Sequence, residues 1–84
     1  KQLSVFPNPT SGELTADFSL DASADVQFEL YDMVGSRIVI ASKENYAAGQ
    51  NRKQMNAEQV PSGIYQLAIK TNKSVISRKV IVQH

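Results

Sequence analysis

Apolar residues recur at every second position along this chain, and that period dictates what it can become. Leu14, Ala16, Phe18 and Leu20 alternate with Thr15, Asp17 and Ser19. Val26, Phe28 and Leu30 alternate with Gln27 and Glu29, and Tyr65, Leu67 and Ile69 with Gln66, Ala68 and Lys70. Successive side chains of an extended strand point to opposite faces, so each stretch offers one face to a core and one to water. No stretch long enough for a stable helix keeps an apolar stripe at 3.6-residue spacing.

Turn-forming residues cut these runs into short pieces. Pro7-Asn8-Pro9-Thr10-Ser11-Gly12 separates the first two, and Asp21 to Asp25 makes the next loop. Prolines lack a backbone donor and push the preceding residue toward extended geometry. Asp32-Met33-Val34-Gly35 fits a tight hairpin loop, with Asp32 bonding its own backbone and Gly35 taking a positive φ. Gly49, Pro61-Ser62-Gly63 and Asn72-Lys73 punctuate the rest. The predicted strands are 2–6, 13–20, 25–31, 36–42, 50–56, 63–71 and 74–83. Seven such strands predict an all-β fold, an immunoglobulin-like antiparallel β-sandwich.

Three strands carry particular expectations. Strand 50–56 is polar, with Arg52, Lys53 and Gln54 in a row, and reads as a charge-protected edge. Ile38-Val39-Ile40 reads as a strand covered on both faces. The last strand splits its apolar residues between both parities, Ile76, Val80 and Val82 against Val75 and Ile81, which calls for a bulge or an edge position.

At 84 residues the chain is one small domain with a thin stability margin. It has no Cys, and its one His is His84. Thiolate chemistry, Cys or His metal sites and a Ser-His-Asp arrangement are therefore excluded, and the expectation is no catalytic, cofactor-binding or metal site. No purely apolar run exceeds four residues, against roughly 20 for a spanning helix. The net charge of +1 selects no nucleic acid. The distribution is uneven, however. Residues 1–42 carry Lys1 and Arg37 against six carboxylates, net −4, while residues 43–84 carry seven cations against two, net +5. Such a split fits two mutually attracting surfaces, or a basic docking edge late in the chain. Glu13 and Asp17 share one polar strand face, without a cleft, and are no glycosidase pair. Asn72-Lys73-Ser74 reads as a turn.

Several blocks carry more identity than alternation alone. The first is Leu3-Ser4-Val5-Phe6-Pro7-Asn8-Pro9-Thr10-Ser11-Gly12. The second is Phe28-Glu29-Leu30-Tyr31-Asp32-Met33-Val34-Gly35-Ser36-Arg37. The third is Val60-Pro61-Ser62-Gly63-Ile64-Tyr65-Gln66-Leu67, followed by the basic-apolar Arg78-Lys79-Val80-Ile81-Val82. In this order they resemble the C-terminal sorting domain of type IX secretion cargo, over essentially the whole chain. By position, the resemblance implies a sorting-signal motif of Gly63, Ile64, Tyr65, Lys79, Val80, Ile81 and Val82. Pro7, Asn8, Pro9, Gly12, Tyr31, Asp32 and Gly35 match the family's structural motif. The chain departs from the pattern between Gly49 and Gly63, which is long and polar with Lys53 at a usually apolar position, and at Gln83-His84 in place of a closing Lys.

The resemblance implies a label at the end of a larger protein, which suits a chain that starts at Lys1 rather than Met. The implied partners are the type IX translocon, an outer-membrane shuttle protein, a sortase-like cysteine peptidase and anionic lipopolysaccharide. Implied location is the periplasm in transit, then the outer membrane and cell surface. Dimerisation through an edge strand is a further expectation. The competing reading is an adhesive or glycan-binding sandwich, for which Tyr46, placed in a polar loop, is the one exposed aromatic. Of the motif residues, Gly63 is expected to serve a positive φ or a close strand approach, Tyr65 to face the core, and Lys79 to be the recognition contact.

Overall fold

In the computed structural model, which describes residues 3–84, the described residues hold seven strands and no helix. They are β1 (Leu3–Phe6), β2 (Glu13–Leu20), β3 (Ala24–Tyr31), β4 (Arg37–Tyr46), β5 (Gly49–Asn56), β6 (Gly63–Lys70) and β7 (Val75–Val82). Gln2, expected to open the first strand, lies outside the described residues, as does the side chain of Val39.

The pairings between these strands are antiparallel and divide into two sheets, β1-β2-β5 and β4-β3-β6-β7. This is the expected immunoglobulin-like sandwich, with the fourth strand on the second sheet rather than the first. The alternating residues supply the core between the sheets. Leu14, Ala16, Phe18 and Leu20 meet Val26, Phe28, Leu30, Tyr65, Leu67 and Ile69, closed by Val80 and Val82. Phe18 and Phe28 pack edge to face, ring centroids 5.5 Å apart.

The expected edge position of 50–56 holds, because β5 pairs only with β2, in unbroken register from Leu20↔Gly49 to Glu13↔Asn56. β7 resolves its mixed pattern as an edge strand and not through a bulge, with continuous register from Gly63↔Val82 to Lys70↔Val75.

Two expectations change. β4 runs on through Lys43, Glu44 and Asn45 to Tyr46, whereas the alternation predicts an end at residue 42. The register with β3 shifts between Val26 and Glu29, and that irregularity carries the polar half of β4 along β3. Tyr46 is therefore no loop platform: its ring lies 5.1 Å from that of Phe18 and 6.4 Å from that of Phe28, and its hydroxyl donates to Glu44 Oε1 at 2.8 Å. Burial and the neighbouring carboxylate both push the Tyr46 phenol pKa up. β4 is also an edge strand, so Ile38 and Ile40 are only partly buried against the core instead of covered on both faces.

Candidate functional site

Because β1, β3 and β5 end where β2, β4 and β6 begin, one end of the sandwich collects three loops and the end of β7. These loops are 7–12, 32–36 and 57–62; they hold Pro7, Asn8, Pro9, Gly12, Asp32 and Gly35, and the other motif residues lie on the adjoining ends of β3, β6 and β7.

The first block straps the outer edge of β7. Asn8 reads the strand with its side-chain amide: Nδ2 donates to the Lys79 carbonyl at 3.0 Å, and Oδ1 accepts from the Ile81 N–H at 2.9 Å. Thr10 continues the contact as a parallel bridge to Val82. Its N–H donates to the Ile81 carbonyl at 2.9 Å and its carbonyl accepts from the Gln83 N–H at 2.8 Å. Thr10 is itself buried, its hydroxyl donating to the Glu13 carbonyl and accepting from the Gly12 N–H. Both Phe6-Pro7 and Asn8-Pro9 peptide bonds are cis. Gly12 passes close to the 57–60 loop, where an added Cβ would lie 3.0 Å from Glu58 Cγ, and its carbonyl accepts from the Ala57 N–H at 2.7 Å. The His84 ring adds contacts at the same end, 3.1 Å from the Ser11 carbonyl and 2.7 Å from that of Val60.

Asn8→Ala removes both side-chain bonds to β7 and is expected to lower stability by about 1–2 kcal/mol. Hydrogen exchange at the Ile81 amide should quicken in this variant; an unchanged rate would show that the strap does not hold the strand in solution.

The second block is a hairpin loop built by two residues. Asp32 Oδ1 accepts from the Val34 N–H at 3.0 Å and the Ser36 N–H at 2.8 Å, and Gly35 takes φ +88° as expected. The side chains of Met33 and Val34 take no part in that bonding, and the two residues stand 80% and 86% exposed. The third block packs beside this loop, so that Asp32, Met33, Val34, Ser62, Gly63, Ile64 and Tyr65 line one shallow groove.

Tyr65 faces the core, as expected, and its hydroxyl donates to the Pro61 carbonyl four residues upstream at 2.6 Å. A tyrosine near the start of the sixth strand bonding back to the preceding corner is the tyrosine corner of immunoglobulin-like domains. Gly63 does not have a positive φ, contrary to half of its expectation. Its near neighbour is not another strand but the Tyr65 ring of its own strand, with Cε1 3.4 Å from where a Cβ would stand. Gly63 and Tyr65 thus form one local structural unit.

The residues expected as the sorting-signal motif therefore divide by face. Val80 and Val82 are fully buried beside Tyr65. Ile64, Lys79 and Ile81 point to the outer face of the four-stranded sheet, with Ile64 44% exposed, Lys79 exposed and Ile81 half-buried.

That outer face also carries a group the alternation does not single out. Glu29 is on the polar parity of β3 yet only 2% exposed. Tyr31 Oη donates to its Oε1 at 2.7 Å and Lys70 Nζ stands 2.9 Å from the same oxygen. Oε2 accepts from Gln27 Nε2 at 3.0 Å and Arg37 Nη1 at 3.3 Å. The Tyr31 hydroxyl first, then Lys70, holds the Glu29 carboxyl below its ordinary range, while the hydroxyl and the carboxylate together raise Lys70. Tyr31, expected at the end of its strand as a motif residue, thus works through its hydroxyl. The cover over Glu29 is a single layer of long side chains, which explains how a charged group sits hidden on a solvent face.

The two halves of the charge split meet at Arg52–Asp17, where Nε lies 2.6 Å from Oδ1, and at Lys70–Glu29. Arg52 also reaches over the Phe6 ring. Lys53, at the position where an apolar residue is usual, pairs with Glu44 across to β4 at 3.2 Å. Among the described residues no cluster of His, Asp and Glu could hold a metal ion, and no helix is long and apolar enough to cross a membrane.

An immunoglobulin-like sandwich with motif loops at one end, and with Tyr65, Val80 and Val82 in the core against Ile64, Lys79 and Ile81 on an outer face, is the class of module these features define. The chain belongs to the family of secretion system C-terminal sorting domains, whose model matches residues 4–83. It is a type IX secretion sorting domain, a family of export signals and not of catalysts. No curated protein matches the chain.

Proposed function

We propose that this domain is the detachable, non-catalytic address of a larger secreted protein. Carried by an outer-membrane shuttle protein to the type IX translocon, it directs the cargo through the periplasm to the cell surface. A sortase-like cysteine peptidase then cuts before the domain and joins the cargo to anionic lipopolysaccharide.

The observation that carries this reading is the division of the motif. Tyr65, Val80 and Val82 are buried at the end of the sandwich, with Gly63 against the Tyr65 ring, and Ile64, Lys79 and Ile81 are displayed on its outer surface. A folded label needs both, since an exposed contact is only recognisable when its backbone is held in place. The glycan-binding alternative loses the aromatic it relied on, because Tyr46 packs on Phe18 and Phe28.

The test is a fusion of residues 1–84 behind a reporter directed to the periplasm of a type IX-competent host. The expected result is reporter on the cell surface, with mass spectrometry showing cargo cut ahead of the domain; retention of the fusion in the periplasm would sink the proposal. Deleting Lys79–His84 is a poor probe, since it removes the buried Val80 and Val82 along with Lys79. Lys79→Glu leaves the core intact and is expected to reduce export while the melting midpoint stays put.

A further inference from the structure

The pairing register lays the outer face of the four-stranded sheet out in rows. One row runs Arg37↔Tyr31↔Gln66↔Lys79 across all four strands. The next row toward the loop end is apolar, Ile64↔Ile81, and beyond it stand Met33 and Val34. The hairpin loop needs only the Asp32 carboxylate and the Gly35 backbone, so nothing in the fold asks for apolar side chains at its two central positions. An exposed apolar pair where turns ordinarily carry polar residues, continuous with a second apolar pair on the sheet, marks an interaction surface.

Charge distinguishes this face from the opposite one. The described outer face of the four-stranded sheet presents Arg37, Lys43, Lys70 and Lys79 against Asp25 and Glu29, and Glu29 is covered and engaged by Lys70 and Arg37. The outer face of the three-stranded sheet presents Glu13 and Asp17 against Arg52. Three of the seven late cations, Lys43, Lys70 and Lys79, thus share one sheet face with Arg37, next to the apolar strip.

We infer that Met33, Val34, Ile64 and Ile81, bordered by Arg37 and Lys79, form the docking surface for a partner protein that presents apolar side chains flanked by carboxylates. The inference rests on the sorting reading and names the chemistry of the partner that reads the domain. Apolar contacts at the centre give affinity, and the bordering cations set orientation and rate of encounter. A protein fits better than an anionic lipid surface. The apolar residues run as a strip from the loop along the flat sheet, and the carboxylate of Asp32 lies at the base of the loop, where a membrane-inserting tip would carry cations.

The experiment uses the reporter fusion with Met33→Glu/Val34→Glu, with Lys79→Glu, and with Gln50→Glu on the other sheet as control. The double variant should lower surface reporter by about tenfold or more. Lys79→Glu should lower it less, and Gln50→Glu should not change it. Thermal melts of all three should match the parent, since these side chains are exposed. If the parent fusion is exported and the double variant is exported equally, the docking surface is wrong while the sorting function stands. A parent that stays in the periplasm overturns both. Binding of the parent domain to phosphatidylglycerol vesicles that the double variant loses would assign the strip to lipid and overturn the protein partner.

Discussion

Tyr65→Ala is expected to lower the stability of this domain by about 3–5 kcal/mol, through the cavity left by a large buried ring. The ring lies among the core residues between the sheets and its hydroxyl ties the β5–β6 connection to β6 through Pro61. Small domains hold about 5–15 kcal/mol in total, so the loss consumes a large share of the margin and can unfold the label. Tyr65→Phe separates the two contributions. It keeps the ring and removes the bond to the Pro61 carbonyl, and should cost about 1 kcal/mol. Thermal or urea unfolding measures both; a midpoint for Tyr65→Ala close to the parent would contradict the inward packing. Export should follow stability in this series, since Tyr65 has little surface for a partner to touch. That separates it from Val34 and Lys79, whose replacement should change export with the melt unaltered.

Glu29→Ala is the second large effect, about 1–3 kcal/mol. The carboxylate is the common acceptor of Tyr31, Lys70, Gln27 and Arg37, and without it four side chains of three strands lose their shared partner. The same group gives stability a pH dependence of defined sign. Its folded-state pKa lies below the ordinary 4.5, so the contribution is complete above that value and is lost as pH falls through the lower, folded one. Acid should therefore destabilise the domain below about pH 4.5. Asp17 and Glu44 are shifted the same way, by Arg52 and by Tyr46 with Lys53, and add to the acid loss. Glu29→Gln should thus flatten the acid limb of a stability–pH curve without abolishing it. An acid limb identical to the parent's would show that the network does not hold the charge as drawn.

Seven strands, their approximate limits, the hairpin at Asp32–Gly35 and the inward face of Tyr65 were all legible from alternation and turn chemistry. These are local properties: parity fixes the face of a strand, and Asp, Gly and Pro fix backbone geometry within a few residues. The motif blocks were legible too, in order and almost in full. Misjudged were the places where a distant partner overrides the local pattern. Tyr46 follows a polar stretch and reads as loop, yet the shifted β3–β4 register brings its ring to Phe18 and Phe28. Gly63 reads as a turn glycine but makes room for the Tyr65 ring. Glu29 has the parity of a solvent residue, and only the pairing of β3 with β4 and β6 assembles Arg37, Tyr31 and Lys70 over it.

Met33 and Val34 had a signal in the sequence, two apolar residues inside an Asp-to-Gly turn that uses neither side chain. Their continuity with Ile64 and Ile81 could not be read there, because it depends on which strands are neighbours. Alternation in one chain specifies that strands exist and which side is apolar. Pairing order, register and the strap of Asn8 on β7 come from contacts between residues up to 73 apart in sequence, and no local pattern encodes them. The opening period of two made a sandwich the answer; the tertiary structure divided the late motif into the part that holds the fold and the part left on its surface.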